Sequence, residues 1–191
     1  MALSKGQLIL AGIAVLVVLL VLWFFGTYNS FVSLDQGVNN SWAKVETQYQ
    51  RRVDLIPNLV STIQGSGNFE QETLTKLSEL RTQWQTQSEQ SQRVQTANEL
   101  ESTISKLLLV AENYPTLQTT QAYRDLLVQL EGTENRVAFA RNEFNDTIKS
   151  YNTAIKQIPG SLIAGFMGLK EKEFFEAITE GAENAPAVDF E

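Results

Sequence analysis

Two polar clusters hold most of the side chains in this chain that could do chemistry. The first is RRVDLIPNLV, where Arg51, Arg52, Asp54 and Pro57 interrupt an apolar pattern. The second is TENRVAFARNEFNDTIKSYN at 133–152, with Glu134, Asn135, Arg136, Arg141, Asn145 and Asn152. Asp54 with Glu134 is the only carboxylate pair that merits consideration for acid–base work, and no nucleophile stands ready beside either. The 191 residues include no histidine and no cysteine. That removes the commonest general base, the imidazole metal ligand and the thiolate together. Glycine-rich phosphate loops, dinucleotide fingerprints and HExxH motifs are absent from the sequence as well. Catalysis would have to run on carboxylates alone, and neither a cofactor nor a metal is expected. The net charge is −7 with Lys and Arg scattered, so no basic face points to nucleic acid.

These clusters must be positioned by helices. Leu8 to Phe25 reads LILAGIAVLVVLLVLWFF, without a charge. At 1.5 Å per residue it covers roughly 27 Å, close to a hydrocarbon core of about 30 Å. Trp23, Phe24, Phe25 and Tyr28 gather at one end like an interfacial aromatic belt. A cleaved signal peptide would carry a shorter apolar region ending in small residues, so a retained anchor is expected. Lys5 precedes the span, and Lys44 is the only basic residue in the twenty that follow. The positive-inside rule then leans toward a cytoplasmic N-terminus with the bulk of the chain outside.

Beyond the anchor, Phe31, Leu34, Val38, Trp42, Val45, Tyr49, Val53, Ile56, Val60 and Ile63 recur at steps of three and four. That spacing is a helix stripe. No strong breaker parts it from the anchor, so the two are expected to run on almost straight. Gly65-Ser66-Gly67-Asn68 marks a turn. A second helix carries Leu77, Leu80 and Trp84, and the apolar-poor stretch Thr82–Thr96 predicts a loose hairpin turn. A third helix holds Ala97, Leu100, Ile104, Leu107, Ala111 and Tyr114 and stops at Pro115. A fourth runs from about Thr119 to Ile158 and is closed by Pro159-Gly160.

The expected architecture is all-α: an N-terminal transmembrane helix followed by an antiparallel up-down-up-down bundle of two long and two shorter helices. The shorter pair would flank only the half far from the membrane. The near half would then leave Phe31, Trp42, Phe144 and Tyr151 wet unless the C-terminal segment or other copies of the chain cover them, and an exposed stripe of this kind marks an interface. SLIAGFMGL at 161–169 is too short to span. Either it caps the bundle base, or Leu162, Ile163, Phe166 and Met167 dip into the membrane interface or touch a partner's membrane helix. The expected layout is a flank at 1–7, a transmembrane helix at 8–28, a bundle at 29–169, and a short charged helix with a mobile acidic tail at 170–191.

RRVDLIPNLV, AENYPTLQ at 111–118, TENRVAFARNEFNDTIKSYN, PGSLIAGFMGL at 159–169 and the ending APAVDF resemble the LemA family of bacterial membrane proteins. Order and spacing agree over nearly the whole chain. Asn142, where an arginine is more usual, and the Gln/Ser-rich stretch at 85–95 depart from the pattern. The resemblance implies a single-pass protein of the bacterial inner membrane with a helical-bundle domain, and it supplies no reaction.

Proline inside a helix costs about 3 kcal/mol through a lost bond and a clash. RRVDLIPNLV therefore predicts a kink, with Arg51 and Arg52 before it and Asp54 beside it, or a hinge that transmits bending. Ion pairs from Arg51, Arg52 or Asp54 to the 133–152 helix would fix register more readily than do chemistry. The functional expectation is a non-enzymatic membrane scaffold that self-associates or contacts other membrane proteins. Its rivals are an adaptor or regulator of a membrane protease or envelope-stress machine, and a carboxylate-based enzyme.

Overall fold

The structure, a computed structural model, describes residues 4–65 and 71–176. All regular elements among the described residues are helical: α1 (Lys5–Gln64), α2 (Gln71–Thr86), α3 (Gln90–Ala111), α4 (Pro115–Gln118), α5 (Gln121–Lys156) and α6 (Gly160–Phe166). Anchor and first soluble helix form one unbroken element of 60 residues. Pro57 lies inside it and does not end it. The proline sits on the exposed side, so its ring meets solvent instead of the packed interior.

The stretch at 82–96 is not the loose turn its composition suggests. Helix α2 runs to Thr86, α3 starts at Gln90, and three residues join them. Polar bonds hold this tight hairpin: Arg93 Nε donates to the Gln87 carbonyl at 2.9 Å, and Thr96 Oγ1 donates to Gln87 Oε1 at 2.8 Å. Helix α3 ends at Ala111, and Pro115 opens the single turn α4, where its missing N–H costs nothing. Thr120 precedes α5 and accepts from the Tyr123 N–H at 3.4 Å.

The chain divides into two compact units. One comprises residues 44–142 and 175–191. Its interior is built by α1, α2, α3 and α5 around Tyr49, Val53, Ile56, Leu77, Trp84, Leu100, Ile104 and Val137, all buried. Tyr49 meets Arg141 and Arg52 meets Glu134, so residue numbers rise along α1 as they fall along α5. The two helices are antiparallel here.

The other unit comprises residues 1–43 and 143–174. It holds the apolar start of α1, whose most apolar eighteen residues are all unburied. Beyond that stretch, Phe31, Phe144, Ile148, Tyr151 and Ile155 make a core of their own. Trp42 is half-buried, with its ring 5.3 Å from that of Phe144. The stripe of Phe31, Phe144 and Tyr151, expected to be wet unless something covered it, is therefore covered within the chain itself. The segment after α5 turns back over part of it: Gly160 lies so close to Phe31 that a Cβ there would stand 3.2 Å from Cζ, and Lys172 Nζ lies 5.2 Å over the Tyr151 ring, while Phe144 meets Trp42.

Helix α6 ends in a left-handed cap. The Leu169 N–H reaches the Ala164 carbonyl at 3.0 Å, the Gly168 N–H reaches that of Gly165 at 3.1 Å, and Gly168 has φ +68°. This is the Schellman arrangement, and only glycine takes that backbone without strain. Residues 170–176 are not the short charged helix expected there. The chain leaves the cap without helical structure because side chains of α5 and α3 hold its backbone: Asn152 bonds Lys172, and Asn98 bonds Glu176. The expected turn residues 66–68, the end of the charged helix and the acidic tail lie outside the described residues.

Candidate functional site

Tyr49 sits on the buried stripe of α1 with no exposed surface. A buried phenol needs a partner, and its hydroxyl donates to Glu101 Oε1 on α3 at 2.7 Å. Two arginines converge on the same carboxylate. Arg52 Nη1 lies 3.4 Å from Glu101 Oε1, and Arg141 Nη2 bonds both Glu101 and the Tyr49 hydroxyl. The second hand of Arg52, Nη2, pairs with Glu134 Oε2 at 2.5 Å. Two guanidinium groups thus face two carboxylates, and the charges balance.

Aromatic rings wall this cluster. The Tyr49 ring lies 5.1 Å from Trp84 and stacks on Phe175 at 6.2 Å with only 9° between the planes. The Arg141 guanidinium rests 4.4 Å over Phe175 and 5.4 Å over Tyr49, a cation–π placement that holds the charge where water is scarce. Arg93 stands 5.4 Å over Trp84 and pairs with Glu46. Burial first, then the negative charge of Glu101, pushes the Tyr49 phenol well above its ordinary range. It stays a neutral donor.

The residues singled out from the sequence thus part company. Arg52, Glu134 and Arg141 are joined to one cluster. Arg51, Asn135 and Arg136 are exposed. Asp54 is exposed and accepts from Gln50 Nε2 one turn earlier at 2.8 Å, so its carboxylate is engaged on its own helix while that of Glu134 is engaged by Arg52. Asn145 is half-buried. Asn152 is buried in the other unit, where Nδ2 donates to the Lys172 carbonyl and Oδ1 accepts from the Lys172 N–H, each at 2.9 Å. Lys172 Nζ pairs with Asp35 at 2.7 Å and lies 5.2 Å over the Tyr151 ring, whose phenol burial raises above the usual range. Of the 161–169 segment, Leu162 and Phe166 are exposed, but Ile163 is buried and Met167 half-buried. Ile163 thus belongs to the protein side of α6.

Sequence reading missed Glu101, Phe175, Lys172 and Asp35. One signal was available for the first: a tyrosine on a buried stripe demands an acceptor, and Glu101 stands four residues after Ala97 on the α3 stripe. A surface hollow of about 430 Å³ runs along Asp146, Lys149, Ser150 and Thr153, and another of about 330 Å³ lies beside Leu108, Gln118 and Tyr123. Neither includes Asp54 or Glu134. Among the described residues no three carboxylates gather where a metal ion would fit.

Fold and site define a helical-bundle protein of the membrane-associated kind, its N-terminal helix long and apolar enough to cross a bilayer. The chain belongs to the LemA family, whose model matches residues 41–190. It is 35% identical over 72 residues to magnetosome protein MamQ of Magnetospirillum gryphiswaldense, covering 38% of this chain and 26% of that one. It is 24% identical over 176 residues to magnetosome protein MamQ 2 of Paramagnetospirillum magneticum, covering 78% and 64%. With protein LemA of Metamycoplasma hominis it shares 20% over 155 residues, covering 81% and 71%. The matches span about a quarter and just under two thirds of the lengths of the two magnetosome relatives.

Proposed function

We propose that the chain is a non-enzymatic, membrane-anchored helical scaffold that works by contact with other membrane proteins. One observation carries this reading: the charges of the cluster are paired with one another, two guanidinium groups against two carboxylates. Arg52, Arg141, Glu101 and Tyr49 bond one another, and Phe175 lies over Arg141. Groups committed in this way hold helices in register and offer nothing to a reacting molecule. None of the relatives' names designates an enzyme.

The covered stripe shifts where partner contact must be sought. Phe31, Phe144 and Tyr151 no longer motivate self-association, since all three are buried within the chain itself. Outward apolar surface remains on α5, where Val128 is 69% and Phe139 71% exposed. The two lie eleven residues apart, three turns along one helix face. A scaffold of this kind stands in the inner membrane with its bundle outside the cytoplasm, the orientation that the lysine bias favours.

A photo-crosslinking amino acid at position 139, activated in intact membranes, tests the reading. Adducts with a second copy or with another membrane protein support it, and an adduct with a membrane protease narrows it to an adaptor. Irradiation that yields no adduct at 128, 135 or 139 overturns it.

A further inference from the structure

We infer that α6 is a lipid-docking foot: Ile158, Leu162 and Phe166 insert into the bilayer interface beside the anchor. Leu162 and Phe166 are four apart and share one side of α6, and Ile158 lies in the turn that leads into it. Ile158, Leu162 and Phe166 are 86%, 73% and 84% exposed. The opposite side, Ile163 and Ala164, is buried against the protein. Helix α6 thus carries large apolar side chains on two sides, with Ser161 its one polar residue, yet only the side of Ile163 and Ala164 is buried. A helix of that composition belongs in a core or in lipid.

Its position selects lipid. Gly160, the first residue of α6, is pressed against Phe31. Phe31 lies six residues beyond Phe25, the end of the uncharged stretch, on the same unbroken helix. Six residues of helix advance about 9 Å. Headgroup layers extend a bilayer from about 30 Å of hydrocarbon to about 40–45 Å in all, roughly 5–7.5 Å on each side, so Gly160 stands just past that layer and an α6 side chain directed toward the bilayer spans the difference. The exposed apolar surface of α1 also continues past the span, through Trp23, Phe25, Tyr28 and Val32, and reaches the residue next to Phe31. The anchor's exposed apolar side chains thus extend along α1 to the level at which the foot begins. The charges around it pair locally, Lys156 with Glu171 and Lys172 with Asp35. Attraction to anionic lipid is therefore not required, and burial of apolar area supplies the contact. Two points of attachment would hold the membrane end of α1 at a set angle, which a single-pass helix alone does not do.

This inference rests on the membrane-anchored part of the proposed function and not on partner contact. Its test uses the full chain, one copy per nanodisc, in phosphatidylcholine. The sequence contains no cysteine, so single variants Leu162→Cys and Phe166→Cys each carry one nitroxide. Phe25→Cys serves as the lipid standard and Thr153→Cys as the aqueous one. The expected result is that labels at 162 and 166 relax with oxygen and are shielded from an aqueous nickel chelate, as at 25. Nickel accessibility equal to that at 153 overturns the proposal. Shielding from both reagents means protein cover and overturns it too. The double variant Leu162→Glu/Phe166→Glu, with helicity checked by circular dichroism, should gain tryptic cleavage at Lys156 and Lys170 in nanodiscs. Unchanged protection of those bonds would likewise refute lipid docking. Neither measurement contains a partner, so its failure leaves the crosslinking result at 139 standing, and the reverse holds.

Discussion

The two compact units solve the same problem with different materials. Around Tyr49 the interior contains charge: Arg52 keeps only 5% of its side chain exposed and Arg141 13%, and both depend on Glu101. Around Phe144 the interior is aromatic and aliphatic, and among the described residues its buried side-chain polar groups are Ser41, bonded to the Val38 carbonyl on its own helix, and the Asn152 clamp, with the Lys172–Asp35 pair at the margin. An apolar stripe tells two helices that they should pack but specifies their register weakly. A buried ion cluster admits one register, because any slip leaves a charge without a partner. The unit with four helices to align carries the charge cluster. In the other unit the returning segment is held through its backbone by one asparagine.

That contrast can be broken by removing the acceptor on which the cluster centres. Glu101→Ala should cost about 3 kcal/mol, since it leaves Arg141 with the Tyr49 hydroxyl alone and Arg52 with the half-exposed Glu134. Urea denaturation of the purified chain reads the loss. A change of only a few tenths, as for an exposed pair, would show that both units rest on apolar packing. Asn152→Ala tests the other side. It removes two neutral hydrogen bonds to Lys172, at about 1 kcal/mol each. Stability should fall by about 2 kcal/mol, with faster hydrogen exchange confined to residues 170–174. Exchange that spread into α3 would blur the distinction between the units.

The smallest effect is on pH dependence. Unfolded tyrosine ionises near pH 10, whereas burial keeps the Tyr49 phenol protonated beyond that. Above about pH 10 the unfolded state therefore binds fewer protons than the folded one, and stability declines as pH rises. Below that pH the contribution is complete. Tyr49→Phe should flatten this alkaline decline, followed as the unfolding midpoint between about pH 8 and 11. Tyr123 and Tyr151 are also shifted upward by burial, so part of the slope should persist.

Much of the fold was legible because its signals are local. The steps of three and four from Phe31 to Ile63 predict α1, and Pro115 and Pro159 mark ends that the structure respects. Where local signals misled, long-range contacts outweighed them. Polarity at 82–96 reads as loop, yet Arg93 and Thr96 bond back to Gln87 and the helices continue almost to the turn. Lys170–Glu176 has a helical composition, yet Asn152 and Asn98 hold its backbone in another conformation. The candidate site was half legible. Arg52, Glu134 and Arg141 stood out as charges beside apolar stripes. Glu101 did not, because a glutamate on a helix is ordinary until the helix it faces is known.

By itself the sequence determined everything that depends on neighbours along the chain. An apolar stretch matched to a bilayer, helical periodicity, and the absence of imidazole and thiol chemistry all follow from composition and spacing. Tertiary structure decided which side chains meet. Tyr49 and Glu101 are 52 positions apart, and Arg141 and Tyr49 are 92 apart. Whether such residues touch depends on how the helices dock, which no local spacing encodes. The same docking turned Phe31, Phe144 and Tyr151 inward and left Ile158, Leu162 and Phe166 outside. A segment covers whichever face lies nearest its own attachment point, and only the folded chain places that point.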